Sequence, residues 1–179
     1  MCARSNNPSY ERVPYAFAFR GQSGKTDFVL ISVHLDPRTT LAGKKRRQEE
    51  LGSIVQWIND HDEKEKDFII LGDMNIQSKK EYKELIPAGY ISLNDEYRPT
   101  NTNVHSRKPF DHVMYRPEYT PEIDTSYDLV VIDLVKEMKD DWTKNIPYPG
   151  KPYIHDQFRQ YYSDHDPVVF RIKIMCDND

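Results

Sequence analysis

The chain has 179 residues, of which 37% are hydrophobic and 30% are charged, with a formal net charge of −4. This length is typical of one domain, which we assign to residues 1–179, and no apolar run approaches the roughly 18 residues of a membrane-spanning helix. The acidic balance argues against a passive nucleic-acid-binding protein, which usually carries a basic face, but not against an enzyme that meets phosphates through a cation. The first residues show no signal peptide, so the default expectation is a cytoplasmic protein.

The first half of the chain predicts a β-hairpin followed by a long helix. Residues 14–20 alternate apolar with small or polar positions, and residues 26–35 form a β-branched run that ends near His34. A helix is predicted over residues 41–60, because apolar residues recur there at helical spacing: Leu51, Ile54, Val55 and Ile58. The charged run "KKRRQEE" within this helix pairs opposite signs, which is typical of a solvated helix face rather than a nucleic-acid patch.

The second half predicts four strands, one short helix and a long loop. The strands are predicted over residues 67–75, 110–115, 127–135 and 167–174, the last with Val168, Phe170, Ile172 and Ile174 on one face. The helix is predicted over residues 79–86, and the Pro- and Gly-rich loop over residues 144–157. Strands outnumber helices, which favours a mixed α/β domain with a largely buried sheet.

Polar and titratable residues accumulate at or beside the ends of several strands. One such Asp is usually a turn former or helix cap, and one such His is usually a hydrogen-bonded structural residue. Several on one small chain favour a shared chemical role over independent structural ones. They are His34, Asp73, Asn75, Asp111, Asp164 and His165.

These residue types suit the hydrolysis of a phosphate ester. Carboxylates are the oxygen ligands that Mg²⁺ prefers, and that ion keeps waters and binds substrate phosphate. Histidine transfers protons near neutral pH, and an amide side chain can contact a phosphate oxygen or the attacking water. Positioning and charge neutralisation carry most of the catalysis in such reactions.

Four motifs occur in the order and approximate spacing of the endonuclease/exonuclease/phosphatase superfamily: "ISVHL", "IILGDMN", "FDHVMY" and "YSDHDPVVF". The segment "YERVPYAFAF" is similar to the Arg-x-Pro strand of its DNase I-like branch. The resemblance implies a four-layer α/β sandwich. The opening strands of that fold, with an Asn and a metal-binding Glu, have no counterpart here, so we expect the C-terminal part of such a domain.

The resemblance also implies how a metal and a water would be held. Asp73 would orient the nucleophilic water or share a metal, and Asn75 would contact the scissile phosphate. Asp164 would be a metal ligand. The implied ion is Mg²⁺, with Mn²⁺ as an alternative, and the missing glutamate would make its binding weak.

The remaining roles concern proton transfer and phosphate contact. His165 would handle a proton or contact the phosphate, and Asp111 would orient it. His34 would be a second histidine near the phosphate that protonates the leaving oxygen, and Arg12 would bind the phosphate.

The function expected from this resemblance is that of a metal-dependent phosphodiesterase, a DNase I-like nuclease with DNA as its substrate. Two alternatives stay open. One is a phosphatase of inositol phosphates or lipid head groups. The other is a non-catalytic or half-domain remnant, which would self-associate or act with a complementing N-terminal segment because the missing strands leave apolar sheet surface uncovered.

Overall fold

The structure, a computed structural model, describes residues 10–22, 27–63, 65–140 and 153–173. Its helices and strands are β1 (Tyr15–Arg20), β2 (Asp27–His34), α1 (Leu41–Asn59), β3 (Phe68–Asp73), α2 (Lys79–Leu85), β4 (Ile91–Ser92), β5 (Asp111–Tyr115), β6 (Val130–Val131), α3 (Leu134–Asp140), α4 (His155–Tyr161) and β7 (Val168–Val169). The predicted mixed α/β class is confirmed. In the described part of the chain, no helix combines the length and apolar character that crossing a bilayer requires.

The main sheet has five strands in the order β1-β2-β3-β5-β4, and β6 and β7 form a separate two-stranded sheet. The predicted hairpin is observed as the antiparallel pair β1 and β2. Strand β3 runs parallel to β2, which sets His34 opposite Asp73. Strand β5 runs antiparallel to β3, which sets Asp111 opposite the same Asp73. Directly opposed residues point to one face, so the sheet register alone brings these three side chains together.

Helices α1 and α2 cover one face of the main sheet. Thr40 caps α1, since its side chain accepts a hydrogen bond from the Gly43 amide. The predicted apolar face of α1 is buried through Leu51, Ile54 and Ile58, which join β2 and β3 residues in one apolar cluster. This burial, at ~25 cal/mol per Å², supplies the main stabilisation of the helix–sheet layer.

The opposite face of the main sheet is only partly covered. Its buried residues Ile69, Val113 and Tyr115 pack near Val131 and Val168 of the small sheet. Towards β1 the described residues provide little cover: Tyr15, Phe17 and Phe19 are 48%, 50% and 46% exposed. Because alternate residues of a strand share a face, these three rings form one exposed aromatic row, which we call the open face.

Three sequence predictions are corrected here. Over residues 127–135 only Val130–Val131 form a strand, because Asp133 accepts a hydrogen bond from the Lys136 amide (3.0 Å) and starts α3 instead. In the described part of the strand predicted over residues 167–174, which ends at residue 173, only Val168–Val169 form a strand, and a single bridge joins Ile123 to Ile172. The loop prediction for residues 144–157 falls mostly outside the described residues, as does Ile174, and its last three residues belong to α4.

The predicted solvated face of α1 is also wrong in part. Lys45 and Glu49 are exposed and form an ion pair at 3.6 Å, but Arg47 and Glu50 are each 1% exposed. Arg47 and Glu50 share the helix face of Leu51 and Ile54, so they turn inward with the apolar stripe. Two charges therefore enter the interior beside the sheet end that carries the polar residues.

Candidate functional site

A cleft of about 400 Å³ opens where β2 and β3 end and β5 begins. It is lined by all seven residues that the sequence singles out: Arg12, His34, Asp73, Asn75, Asp111, Asp164 and His165. His34 and His165 are 131 positions apart in the chain. The sheet register brings in three of these residues, and the loop before β7 brings in the Asp164–His165 pair.

Each ring nitrogen of His165 faces a carboxylate. Its Nδ1 lies 2.7 Å from Asp111 Oδ2, and its Nε2 lies 3.4 Å from Asp73 Oδ2. The hydrogen bond to Asp111 raises the pKa of His165 to about 9, against the opposing effect of burial. At neutral pH the ring is therefore an imidazolium, and its Nδ1–H donates to Asp111.

Asp73 lies at the centre of the cleft between the two histidines. Its Oδ2 lies 3.2 Å from His34 Nε2, while its Oδ1 accepts a hydrogen bond from the Asn75 amide at 2.9 Å. Burial raises the pKa of the Asp73 carboxyl above its usual value, although the neighbouring imidazoles pull it down. A carboxylate with a raised pKa accepts a proton more readily than an ordinary aspartate, as a general base requires.

Local backbone geometry explains the GD-x-N motif. Gly72 has φ of 131°, and a Cβ there would lie 2.3 Å from the Val33 carbonyl oxygen, so only glycine lets β3 run this close to β2 before Asp73. Asn75 adopts the left-handed region at φ 52°, which asparagine tolerates better than most residues. Its side-chain amide donates to the Leu35 carbonyl at 3.0 Å. Asn75 thus ties the turn after β3 to the turn after β2, and phosphate contact stays a prediction.

Arg12 and Asp164 are the most solvent-accessible of the seven residues. Asp164 is held by its backbone, since its carbonyl accepts a hydrogen bond from the Thr102 amide at 2.9 Å. Arg12 approaches from the segment before β1. Both side chains border the cleft from its rim, where a bound phosphate or cation would be reached first.

The donor set does not complete a metal site. Within the described ranges, no group of three or more His, Cys, Asp or Glu side chains is arranged to hold a metal ion. Asp73 faces two imidazoles, and Asp164 lies at the rim of the same cleft. A Mg²⁺ ion held by these two carboxylates would need further ligands from water, phosphate or other protein oxygens.

Sequence reasoning missed several residues beside the cleft. Pro37 and Phe110 line it, and a second cavity of about 220 Å³ adjoins it through Phe110, Asp164 and His165. Lys108 lines this second cavity, where its Nζ donates to the Gln77 carbonyl at 3.3 Å. The polar segment "RPTNTNVHSRKP" immediately before β5 was the available signal, because loop residues at the end of a catalytic strand commonly border the substrate.

No protein-family model matches the sequence, and no curated protein is similar enough in sequence to be matched to it. Solved structures share its fold. A functionally unknown conserved protein from Enterococcus faecalis V583 superposes with a TM-score of 0.59 at 16% identity, over 94% of this chain and 59% of that one.

Two further neighbours are known with a bound nucleic acid or by an activity. D. rerio TDP2, solved with a single-stranded DNA product, has a TM-score of 0.56 at 19% identity, over 91% of this chain and 63% of its own. The mannosyl-6-phosphatase Bt3783 of Bacteroides thetaiotaomicron VPI-5482 has a TM-score of 0.55 at 17% identity, over 88% of this chain and 55% of its own.

The fold of this chain is thus that of the endonuclease/exonuclease/phosphatase proteins, as the sequence motifs predicted. The chain spans about 60% of the length of these solved structures. Solved structures that share this fold include an endonuclease domain and a phosphatase.

Proposed function

We propose that the cleft hydrolyses phosphate esters and that the chain is the catalytic part of a phosphodiesterase acting on nucleic acid, with DNA as the preferred substrate. The observation that carries the proposal is the continuous line of polar groups His34, Asp73, His165 and Asp111 within one cleft. These residues supply a general base in Asp73, a charged imidazolium in His165 and a second imidazole in His34, all within reach of one reacting phosphorus.

In the proposed reaction, Asp73 accepts a proton from a water that attacks the phosphorus. The cationic His165 donates its Nε2–H to a non-bridging phosphate oxygen, where negative charge grows in the transition state. His34 donates a proton to the oxygen that leaves. Asp111 keeps the His165 ring oriented and charged through the 2.7 Å hydrogen bond. As the P–O bond breaks, the hydroxyl of the water joins phosphorus and its proton goes to Asp73. Asp73 then returns a proton to His34 across the 3.2 Å contact, which replaces the one given to the leaving oxygen.

We also propose that Mg²⁺ or Mn²⁺ assists this chemistry. The ion would neutralise phosphate charge, and Asp164, with Asp73, is the carboxylate open to it. Because these side chains do not form a complete site, further ligands must come from substrate, water or another polypeptide segment. We also propose that a complementing segment or a second copy joins the chain at the open face, where Tyr15, Phe17 and Phe19 expose about half of their surface.

A phosphatase of small phosphorylated molecules is the second candidate. The mannosyl-6-phosphatase shares the fold, and a net charge of −4 favours a nucleic-acid backbone less than a basic chain would. The two candidates differ in what surrounds the phosphate and not in the groups that act on it.

The experiment is a substrate panel with four arms: supercoiled plasmid, single-stranded DNA, an inositol phosphate and a phospholipid head group. Each is incubated with the chain in Mg²⁺, Mn²⁺ or EDTA. Nicking of plasmid that His165→Ala abolishes supports the nuclease. His61→Ala is the matched control, since His61 is exposed and contacts the Trp57 carbonyl away from the cleft. Turnover of the small phosphates alone favours the phosphatase, and no turnover in any arm overturns both.

A further inference from the structure

Four charged side chains form a buried network behind the cleft, on the helix side of the sheet. Asp36, Arg47, Glu50 and Glu81 are all at most 5% exposed, and we call them the α1 ion network. Charges this deep are costly unless they are paired and hydrogen-bonded, and a helix needs only apolar residues to pack on a sheet. The network therefore calls for a reason beyond packing.

Glu50 binds the backbone of two segments that supply cleft residues. Its Oε1 accepts a hydrogen bond from the Glu11 amide, and its Oε2 accepts one from the Asp36 amide, both at 2.9 Å. Glu11 directly precedes Arg12, and Asp36 follows His34 by two residues. One carboxylate thus fixes the approach of Arg12 and the exit of the His34 strand relative to each other, although the two segments lie 25 positions apart in the chain.

Arg47 extends the same connection to the third segment. It donates from Nη1 to the carbonyls of Asp36 at 2.8 Å and Arg38 at 2.7 Å, and from Nε to Glu81 Oε1 at 2.9 Å. The other oxygen of Glu81 accepts a hydrogen bond from the Gln77 amide at 3.0 Å, two residues after Asn75. The network therefore touches the backbone beside three groups of cleft residues.

We propose that Glu50 is a positioning residue that sets Arg12 and His34 at the distance a bound phosphate requires. The assignment rests on the proposed function, because it needs a phosphate to be bound in the cleft. Glu50 itself does not line the cleft and acts through the two backbone segments. The competing explanation is that Glu50 only stabilises the fold, with no specific effect on phosphate.

The test replaces Glu50 by Gln, which keeps the shape and one acceptor oxygen but loses the charge and the second acceptor. We expect kcat/KM to fall roughly 10- to 100-fold, the size of one lost hydrogen bond to a buried charged group. Inorganic phosphate, titrated by NMR, should bind correspondingly more weakly. Glu49→Gln is the matched control, because Glu49 is the exposed neighbour on the same helix, and it should leave both quantities unchanged.

A double-mutant cycle with Arg12→Ala separates positioning from stability. If Glu50 acts through Arg12, then Glu50→Gln should cost much less in the Arg12→Ala background, whereas a general loss of folded protein costs the same in both backgrounds. Unfolding midpoints of all four proteins are measured in parallel, so that rates are compared per folded molecule.

A second variant keeps the proposal testable if Glu50→Gln fails to fold. Glu11 is exposed, and Glu11→Pro removes the backbone N–H that donates a hydrogen bond to Glu50. Glu11→Ala keeps this N–H and is the control. We expect the proline variant alone to reproduce the loss of phosphate affinity. If the wild type is active and the losses of kcat/KM caused by Glu50→Gln and Arg12→Ala are additive, the positioning role is overturned and the proposed function stays intact. A wild type that neither binds phosphate nor turns over any phosphate ester overturns the proposed function, and the positioning role falls with it.

Discussion

His112 and His165 lie on opposite sides of the main sheet, in different surroundings. His112 belongs to β5, and His165 bonds the preceding β5 residue, Asp111. His112 is fully buried against Tyr82 of α2, where its ring nitrogens bond Ser92 Oγ and the Pro109 carbonyl, both at 2.9 Å. Burial lowers its pKa to about 4, so it is neutral at pH 7. His165 sits beside Asp111 with a pKa of about 9, so it is charged.

The difference shows what each side of the sheet contributes. The side covered by α1 and α2 offers an imidazole only neutral hydrogen-bond partners, whereas the cleft offers it carboxylates that stabilise its charge. Asp111 and His112 are neighbours in sequence, yet their side chains point to opposite faces because a strand alternates. A one-residue shift of β5 would exchange them and destroy both environments.

The largest expected effect tests the charged environment of His165. Asp111→Asn removes the carboxylate that holds the imidazolium, so the pKa of His165 should fall towards its ordinary value of about 6.5. We expect turnover at pH 8 to drop on the order of 10,000-fold, as when the orienting carboxylate of a catalytic histidine is lost. The pH profile of kcat/KM measures both changes. An unchanged basic limb near pH 9 in the variant would show that Asp111 does not set the charge of His165.

The neutral environment of His112 predicts an acid-sensitive fold. The folded-state pKa of about 4 lies below the unfolded value near 6.5, so the unfolded chain takes up this proton first. The free energy of unfolding should therefore decrease as pH falls from 6.5 to 4, by about 3 kcal/mol at most from this group. Urea unfolding of the wild type and of His112→Asn measures it. An equally steep pH dependence in the variant would assign the effect to other groups.

The open face provides the third contrast, between covered and uncovered apolar surface. Phe17 is half exposed at the middle of the aromatic row, so Phe17→Ser should weaken any association of the chain roughly 10-fold, the effect of losing part of a buried aromatic ring. Sedimentation velocity across a concentration series measures it. Leu41→Ser is the control, since Leu41 is 87% exposed at the start of α1, away from this face. If Phe17→Ser and Leu41→Ser associate equally strongly, the open face is not the surface through which the chain associates.

The smallest expected effect concerns the metal. With only Asp73 and Asp164 as carboxylates, Mg²⁺ should bind the chain with a Kd weaker than about 1 mM, and Asp164→Asn should weaken it further by only a few-fold. Titration calorimetry with Mg²⁺, and Mn²⁺ as a paramagnetic substitute, measures the affinity. Micromolar binding would mean that the described residues are not the ones that hold the ion.

The parts that sequence predicted are those that one local pattern decides. The helical spacing of apolar residues predicted α1, and the apolar run before Gly72 predicted β3. Six of the seven cleft residues were singled out because polar groups at strand ends have few structural uses together, and Arg12 was added by the family resemblance alone. The sheet register, which sets His34, Asp73 and Asp111 side by side, involves pairing between distant strands that no local pattern reports.

Other parts depended on contacts that are invisible in sequence. Arg47 and Glu50 look like a solvated pair at helical spacing, and only the loops that fold over α1 give them backbone partners. The strand predicted over residues 127–135 ends early because Asp133 caps a helix instead. In both cases a tertiary or capping hydrogen bond overrides the local propensity.

The most direct test of the central claim is an NMR titration of the histidine rings in the metal-free chain, in EDTA, with and without inorganic phosphate. We expect His165 to titrate near pH 9 and His112 near pH 4, and phosphate to shift the ring resonances of His165 and His34 while those of His112 and His61 stay in place. If His165 titrates near 6.5 and no cleft histidine responds to phosphate, the cleft is not the phosphate site proposed for it.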